Sequence, residues 1–208
     1  DYSLLTQVQA MMLDGHFVME HGARHRSGRC YNFNGTAGIW RRSSIAEAGG
    51  WQHDTLTEDL DLSYRAQLAG QRFLFVDDVV SPAELPVDIN AFKSQQHRWA
   101  KGSIQTARKL LPDVLRSDMP WRVKLEAVFH LTNNLAYLLM LMLSVLMFPS
   151  IVIRVREGWI SSFWIDLPFL LAATVSISIF YLCAQREISM RHWKKRIIYL
   201  PFLMSIGI

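Results

Sequence analysis

Hydrophobic and polar positions divide this chain in two near residue 124. Upstream, apolar residues recur at short intervals among charges. Downstream they run together, with no charged residue from Leu135 to Ile153 or from Leu167 to Gln185, 19 positions each. A helix needs about 20 apolar residues to cross a hydrocarbon layer of about 30 Å. The two runs therefore predict membrane spans over about 130–153 and 164–185. A third apolar run, Ile197 to Ile208, stops with the chain after 12 residues and reads as a span cut short. Trp121, Val123, Leu125 and Val128 predict an interfacial lead-in to the first span, a position where Trp is often found.

Residues 1–124 alternate between helical and strand patterns. Leu4, Leu5, Val8, Met11 and Met12 predict an amphipathic opening helix, and the stretch to Arg29 has glycines and charges suited to a loop. Tyr31-Asn32-Phe33 reads as a strand leading into an Asn34-Gly35-Thr36 turn. Ser44-x-x-Glu47 has the spacing of a capping box, with Gly49-Gly50 as the stop. Thr57 predicts the cap of a second helix, with Leu60, Tyr64 and Leu68 as its buried stripe and Gly70 as its end. Arg72 to Val76 reads as a short strand closed by Asp77-Asp78. A loop with Pro82 and Pro86 follows, then a helix from about Asn90 to Leu111 that Pro112 ends. The alternation predicts an α/β domain.

Composition refines this division. A hydrophobic content of 50% is high for a soluble chain, and the net charge of +4 needs no nucleic acid, because much of the basic excess flanks the apolar runs where it can meet anionic lipid. Arg186, Arg191, Lys194, Lys195 and Arg196 follow the second run, whereas Arg154 and Arg156 stand between the runs. The positive-inside rule makes the crowded side cytoplasmic, and two crossings return residues 1–124 to the same side. Cys30 and Cys183 offer no disulfide framework, in keeping with a reducing compartment. The chain begins without Met and shows no signal peptide, so both ends read as fragment ends.

Two groups of residues could carry chemistry. Thr57-Glu58-Asp59 opens a predicted helix, where free N–H groups and the helix dipole favour carboxylates and keep them ionised. An ionised Asp59 could act as a base, although any helix start favours such residues. In Gln95-Gln96-His97-Arg98-Trp99, helical spacing puts Gln95, Arg98 and Trp99 on one face. Guanidinium binds phosphate oxygens in bidentate fashion, and an indole offers a flat face to a sugar ring. Alone, that pair also suits a surface ion pair beside a core Trp. His21-x-x-x-His25 has a metal-ligand interval but no third ligand nearby. Asn133 and Asn134 read as helix–helix hydrogen-bonding groups, and Asp166 as an interfacial residue.

Read in order, Phe33-Asn34-Gly35-Thr36, Thr57-Glu58-Asp59, Glu84-Leu85-Pro86, Gln95-x-x-Arg98-Trp99 and then apolar spans resemble the later part of family 2 glycosyltransferases of the cellulose synthase-like type. The stretch from Phe33 to Arg41 and the pentad look most like mannan and glucomannan synthases. The resemblance covers residues 1–124 by motif and the spans by topology. It implies the C-terminal part of a GT-A domain followed by transmembrane helices. It further implies that Asp59 is the general base, that Gln95 and Arg98 meet the donor diphosphate, with Glu58 and Thr57 beside them, and that Trp99 stacks on the terminal sugar. Phe33, Asn34, Gly35 and Thr36 would shape the acceptor pocket.

The donor would be UDP-glucose or GDP-mannose, and the acceptor the end of a growing β-glycan, extended processively. Alternatives are a non-processive transferase acting on a lipid or oligosaccharide, and a non-catalytic subunit of a membrane synthase complex. The Asp-x-Asp motif that holds a divalent cation, Mg or Mn, has no equivalent here. Asp59-Leu60-Asp61 has the spacing but is assigned to base work, and Asp77-Asp78 reads as a turn. No metal ligand is therefore expected in this segment, which should be inactive alone. The membrane would be an inner, plasma or Golgi membrane, with other synthase subunits as candidate partners.

Overall fold

The structure is a computed structural model that describes residues 3–206, with side chains except at 157, 159–162 and 165. Helix α1 (Leu4–Asp14) starts in a reciprocal cap: Ser3 Oγ accepts from the Thr6 N–H, and Thr6 Oγ1 accepts from the Ser3 N–H. The chain does not then loop. It winds on through a π-helical segment, Gly15–His21, into α2 (Gly22–Arg26). Gly15 and Gly22 have ordinary right-handed helical φ values of −59°. Gly15 serves contact instead, since a Cβ there would lie 2.7 Å from the Tyr181 ring and 2.9 Å from that of Phe180.

Helix α3 (Arg42–Glu47) begins before Ser44, so the expected capping box does not form. Ser44 donates instead to Gln71 Oε1 at 2.8 Å. Gly49 and Gly50, at φ 83° and 74°, do end this helix. Helix α4 (Glu58–Leu68) buries two faces. Leu60 and Tyr64 pack with Ala107, Leu110 and Val114 of α5 (Ile89–Arg116) and with Val123, Ala127 and Leu131 of α6 (Trp121–Leu131). Leu62 and Ala66 face Ala48, Trp40, Ile45 and Phe73 on the other side.

Pro112 lies inside α5 rather than at its end. An internal Pro costs one backbone hydrogen bond and a clash, about 3 kcal/mol. Leu110 and the fully buried Val114, on either side of it, hold the last turns in the core. In α6 the expected lead-in divides: Val123 is buried, whereas Trp121 and Leu125 face outward together with Phe129.

No strand is present among the described residues, so the expected α/β alternation is not what they form. Residues 72–76 keep the period of a strand, with Phe73 and Phe75 half-buried between exposed neighbours, but pair with no other strand. At Tyr31 and Phe33, side chains of α4 take up the backbone groups that a ladder would use. The Tyr31 N–H donates to Gln67 Oε1 at 3.2 Å, and the Phe33 N–H donates to Ser63 Oγ at 2.8 Å.

Helices α7 (Leu135–Glu157) and α8 (Trp159–Ile188) contain the two apolar runs. Their most apolar stretches, Leu135–Arg156 and Asp166–Ile188, have mean hydropathies of 2.3 and 2.0 and are 0% and 6% buried inside the protein. A core helix of a soluble protein would be covered. These helices are long and apolar enough to span a membrane, and their exposure suits a hydrocarbon environment. Asp166 is more than an interfacial residue, since both its oxygens receive the Arg154 guanidinium and join the two helices. Asn133 and Asn134 hydrogen-bond to one another in the turn before α7.

Past α8, a 3-10 segment (Trp193–Tyr199) leads into α9 (Leu200–Ile206), where the third apolar run was expected. Leu200 and Leu203 are buried against Val8 and Met11 of α1. Gln185 of α8 donates to Asp14 at 2.6 Å, a second tie between α1 and the apolar helices.

Candidate active site

The site forms where α4 meets α5. Gly102 of α5 lies against Thr57: a Cβ at Gly102 would stand 2.5 Å from Thr57 Cγ2 and 2.8 Å from its backbone nitrogen. Thr57 therefore occupies the cap position without capping, and its hydroxyl lies 3.4 Å from that of Thr106. Gln95, Trp99, Gly102 and Thr106 recur at helical spacing, so one stripe of α5 carries both the pentad and the crossing point. Arg98 and Trp99 stand one turn before Gly102, and the Arg98 charge acts on Asp59 in the first turn of α4. Both are exposed, and Gln95 is half-buried. Gly102→Val should cost about 1–3 kcal/mol or more through overpacking against backbone. An apparent melting temperature for the full-length protein in detergent would measure this loss.

An ion network fixes the two helices further along. Asp61 is fully buried, with one oxygen 2.8 Å from Lys109 Nζ and the other receiving Arg65 Nε at 2.7 Å. Lys109 also donates to Gln52 at 2.6 Å and to Asp54 at 2.8 Å, and Arg65 donates to the Ala48 carbonyl.

Asp59 is half-buried in the first turn of α4, and Glu58 beside it is exposed. Asp59 Oδ1 accepts from the Leu60 N–H at 2.8 Å. Its Oδ2 faces Gly35, where a Cβ would approach to 3.1 Å. Gly35 has φ 76°, a left-handed conformation that favours glycine. The Phe33–Thr36 segment and Asp59, separate in sequence, thus share one site. Gly38 folds back on the Phe33 ring, which also meets Trp40 edge-on at 5.8 Å.

Sequence position alone predicts an Asp59 carboxylate held firmly ionised. The structure reverses the direction: burial pushes the Asp59 pKa up, Glu58 adds to the rise, and the Leu60 N–H and the Arg98 charge only partly offset it. His21, by contrast, is packed against the rings of His16, Tyr31 and Phe75. Burial is the main cause of its drop to a pKa of about 3, which leaves it neutral. No group of three His, Cys, Asp or Glu side chains suited to a metal comes together among the described residues. Glu84 is exposed on a loop whose Pro86 carbonyl is held by Gln9.

The structure brings Thr57, Asp59 and the Phe33–Thr36 loop together, with the Arg98 charge acting on Asp59, and carries Gln95 and Trp99 on the same helix as Arg98. Ser63, Gln67, Asp61, Lys109 and Gly102 were not singled out as site residues from the sequence. A lone glycine inside a helical pattern was the signal available for Gly102.

Comparison with known proteins gives the family. Residues 2–204 match the model of the glycosyl transferase family group 2, and the chain belongs to that family of GT-A type glycosyltransferases. Among its relatives, glucomannan 4-beta-mannosyltransferase 1 of Oryza sativa subsp. japonica is 40% identical over 134 residues, covering 64% of this chain and 25% of the relative. Glucomannan 4-beta-mannosyltransferase 2 of Arabidopsis thaliana is 44% identical over 117 residues, covering 56% and 22%. These similarities align the chain with the cellulose synthase-like type. The chain spans about a quarter or less of the relatives' length. No solved structure matches it significantly.

Proposed function

We propose that this chain supplies the acceptor end and the general base of a membrane-bound, inverting glycosyltransferase that extends a β-glycan with a hexosyl unit from a nucleotide sugar. The observation that carries the reading is the meeting of Asp59 with the Phe33–Thr36 loop beside the Arg98–Trp99 face of α5. Asp59 takes the proton from the acceptor hydroxyl as that oxygen attacks the anomeric carbon. Attack opposite the leaving nucleotide converts an α-linked donor into a β-glycoside. A raised pKa makes Asp59 a stronger proton acceptor.

Arg98 and Gln95 meet the donor diphosphate, where negative charge grows as the bond breaks. Trp99, 39% exposed, is a platform for the terminal sugar and retains the polymer end between additions. Residues 1–124 face the cytoplasm in this reading, and α7 and α8 anchor them in the bilayer. A divalent cation belongs to the chemistry expected of the whole enzyme, but the described residues assemble no donor set for it. The steps assigned here do not pass through it.

The names of the relatives favour a mannosyl over a glucosyl donor. The test is the full-length protein in membranes, offered UDP-glucose, GDP-mannose and other nucleotide sugars, with linkage analysis of the product. β-1,4-linked mannose from GDP-mannose, in long chains on a gel, is expected. An absence of transfer from every donor would overturn the reading.

A further inference from the structure

On α4, Asp59, Ser63 and Gln67 fall four residues apart, so the three side chains form one stripe along the helix. This stripe holds the Tyr31–Phe33 backbone. Gln67 takes both main-chain groups of Tyr31: its oxygen accepts the N–H at 3.2 Å, and its nitrogen donates to the carbonyl at 2.8 Å. The same nitrogen also donates to the Ser63 carbonyl at 2.8 Å. The fully buried Ser63 hydroxyl accepts the Phe33 N–H at 2.8 Å and donates to the Asp59 carbonyl at 2.6 Å. One hydroxyl thus joins the backbone of Asp59 to that of Phe33, two residues before Gly35, whose missing side chain leaves room for the Asp59 carboxylate.

We propose that Ser63 and Gln67 are positioning residues, which dock the Phe33–Thr36 loop on α4 and thereby set where the acceptor glycan sits relative to Asp59. The proposal rests on the reading of Asp59 as the base. The side chains replace a neighbouring strand: they satisfy the donors and acceptor that a sheet would pair, and they fix the loop in register with the helix. Neither residue touches the reacting atoms. Their loss should therefore affect acceptor binding first and leave donor binding unchanged.

The experiment uses the full-length protein in membranes and measures kcat and KM for donor and acceptor separately. Ser63→Ala removes both ends of the bridge. Acceptor KM should rise about tenfold, the scale of one buried hydrogen bond, with donor KM unchanged. Ser63→Thr, which keeps the hydroxyl, should restore most of the loss. Gln67→Ala lies at a half-buried position and guards against misfolding at Ser63. It should raise acceptor KM in the same way. Unchanged acceptor KM in both alanine variants would overturn the proposal. Equal losses for donor and acceptor, tracking a loss of folded protein, would also overturn it by indicating a structural role alone. Asp59→Asn separates the two readings. If it loses turnover while the Ser63 and Gln67 variants keep normal acceptor KM, only the positioning proposal falls. If Asp59→Asn keeps normal turnover, the base assignment itself falls.

Discussion

Asp59→Asn in the full-length protein is expected to lower kcat by about 10²–10⁴-fold, the range for removing a general base, with nucleotide binding retained. The amide keeps the shape of the side chain and its contacts with Leu60 and Gly35, but it cannot take a proton. The same substitution should not destabilise the fold. Burial raises the Asp59 pKa, so the folded state binds its proton more tightly than the unfolded state. The stability this contributes is fully present below the unfolded pKa and is lost as pH rises through the folded pKa. In its ionised form the wild-type side chain therefore bears a desolvation cost that asparagine lacks. The variant should melt at the wild-type temperature or above it. A variant that kept normal turnover would remove Asp59 from the mechanism.

Asp61→Ala is expected to act through stability instead, costing about 3 kcal/mol. Removing one partner of a buried ion pair typically costs about 3–5 kcal/mol. The lower end applies because Lys109 keeps Asp54 and Gln52, and Arg65 keeps the Ala48 carbonyl. Combining Asp61→Leu with Lys109→Met should recover part of the loss, since an apolar pair carries no desolvation cost. Thermal or denaturant unfolding in detergent would measure both. A change below about 0.5 kcal/mol, the usual range for surface substitutions, would mean that the network does not hold α4 to α5.

Much of this arrangement was legible where one periodicity dominates. Leu60 and Tyr64 mark the buried stripe of α4, and the uncharged runs mark α7 and α8, because a single burial requirement sets each pattern. Legibility failed where one residue type serves two purposes. Gly15 and Gly22 suggest a loop, but their backbone is helical, and Gly15 has no side chain because α8 packs on it. Pro112 suggests an end, but core packing around Val114 carries the helix to Arg116. Ser44 has the spacing of a cap and is used for a tertiary bond to Gln71. The expected strand at Tyr31–Phe33 has its backbone taken up by Gln67 and Ser63, and a side chain that substitutes for a ladder leaves no mark in hydrophobic spacing.

The candidate site divides in the same way. Asp59 and the pentad stand out by residue type and order. Gly102, Asp61 and Lys109 act through a helix crossing that no local pattern encodes. The Asp59 pKa follows the same division: helix position, visible in the chain, favours the ionised form, whereas the upward shift comes from desolvation, which depends on what folds over the carboxylate.

The most direct test of Asp59 as a base poised by burial and by Arg98 is the pH dependence of kcat/KM in the full-length enzyme, wild type against Arg98→Gln. In the wild type the acidic limb should lie above the ordinary aspartate value of 3.8, with activity falling as pH drops through it. In Arg98→Gln the limb should move to higher pH, because the positive charge that favours the ionised form has gone. A limb at the ordinary aspartate value, or one that Arg98→Gln leaves in place, would contradict the account.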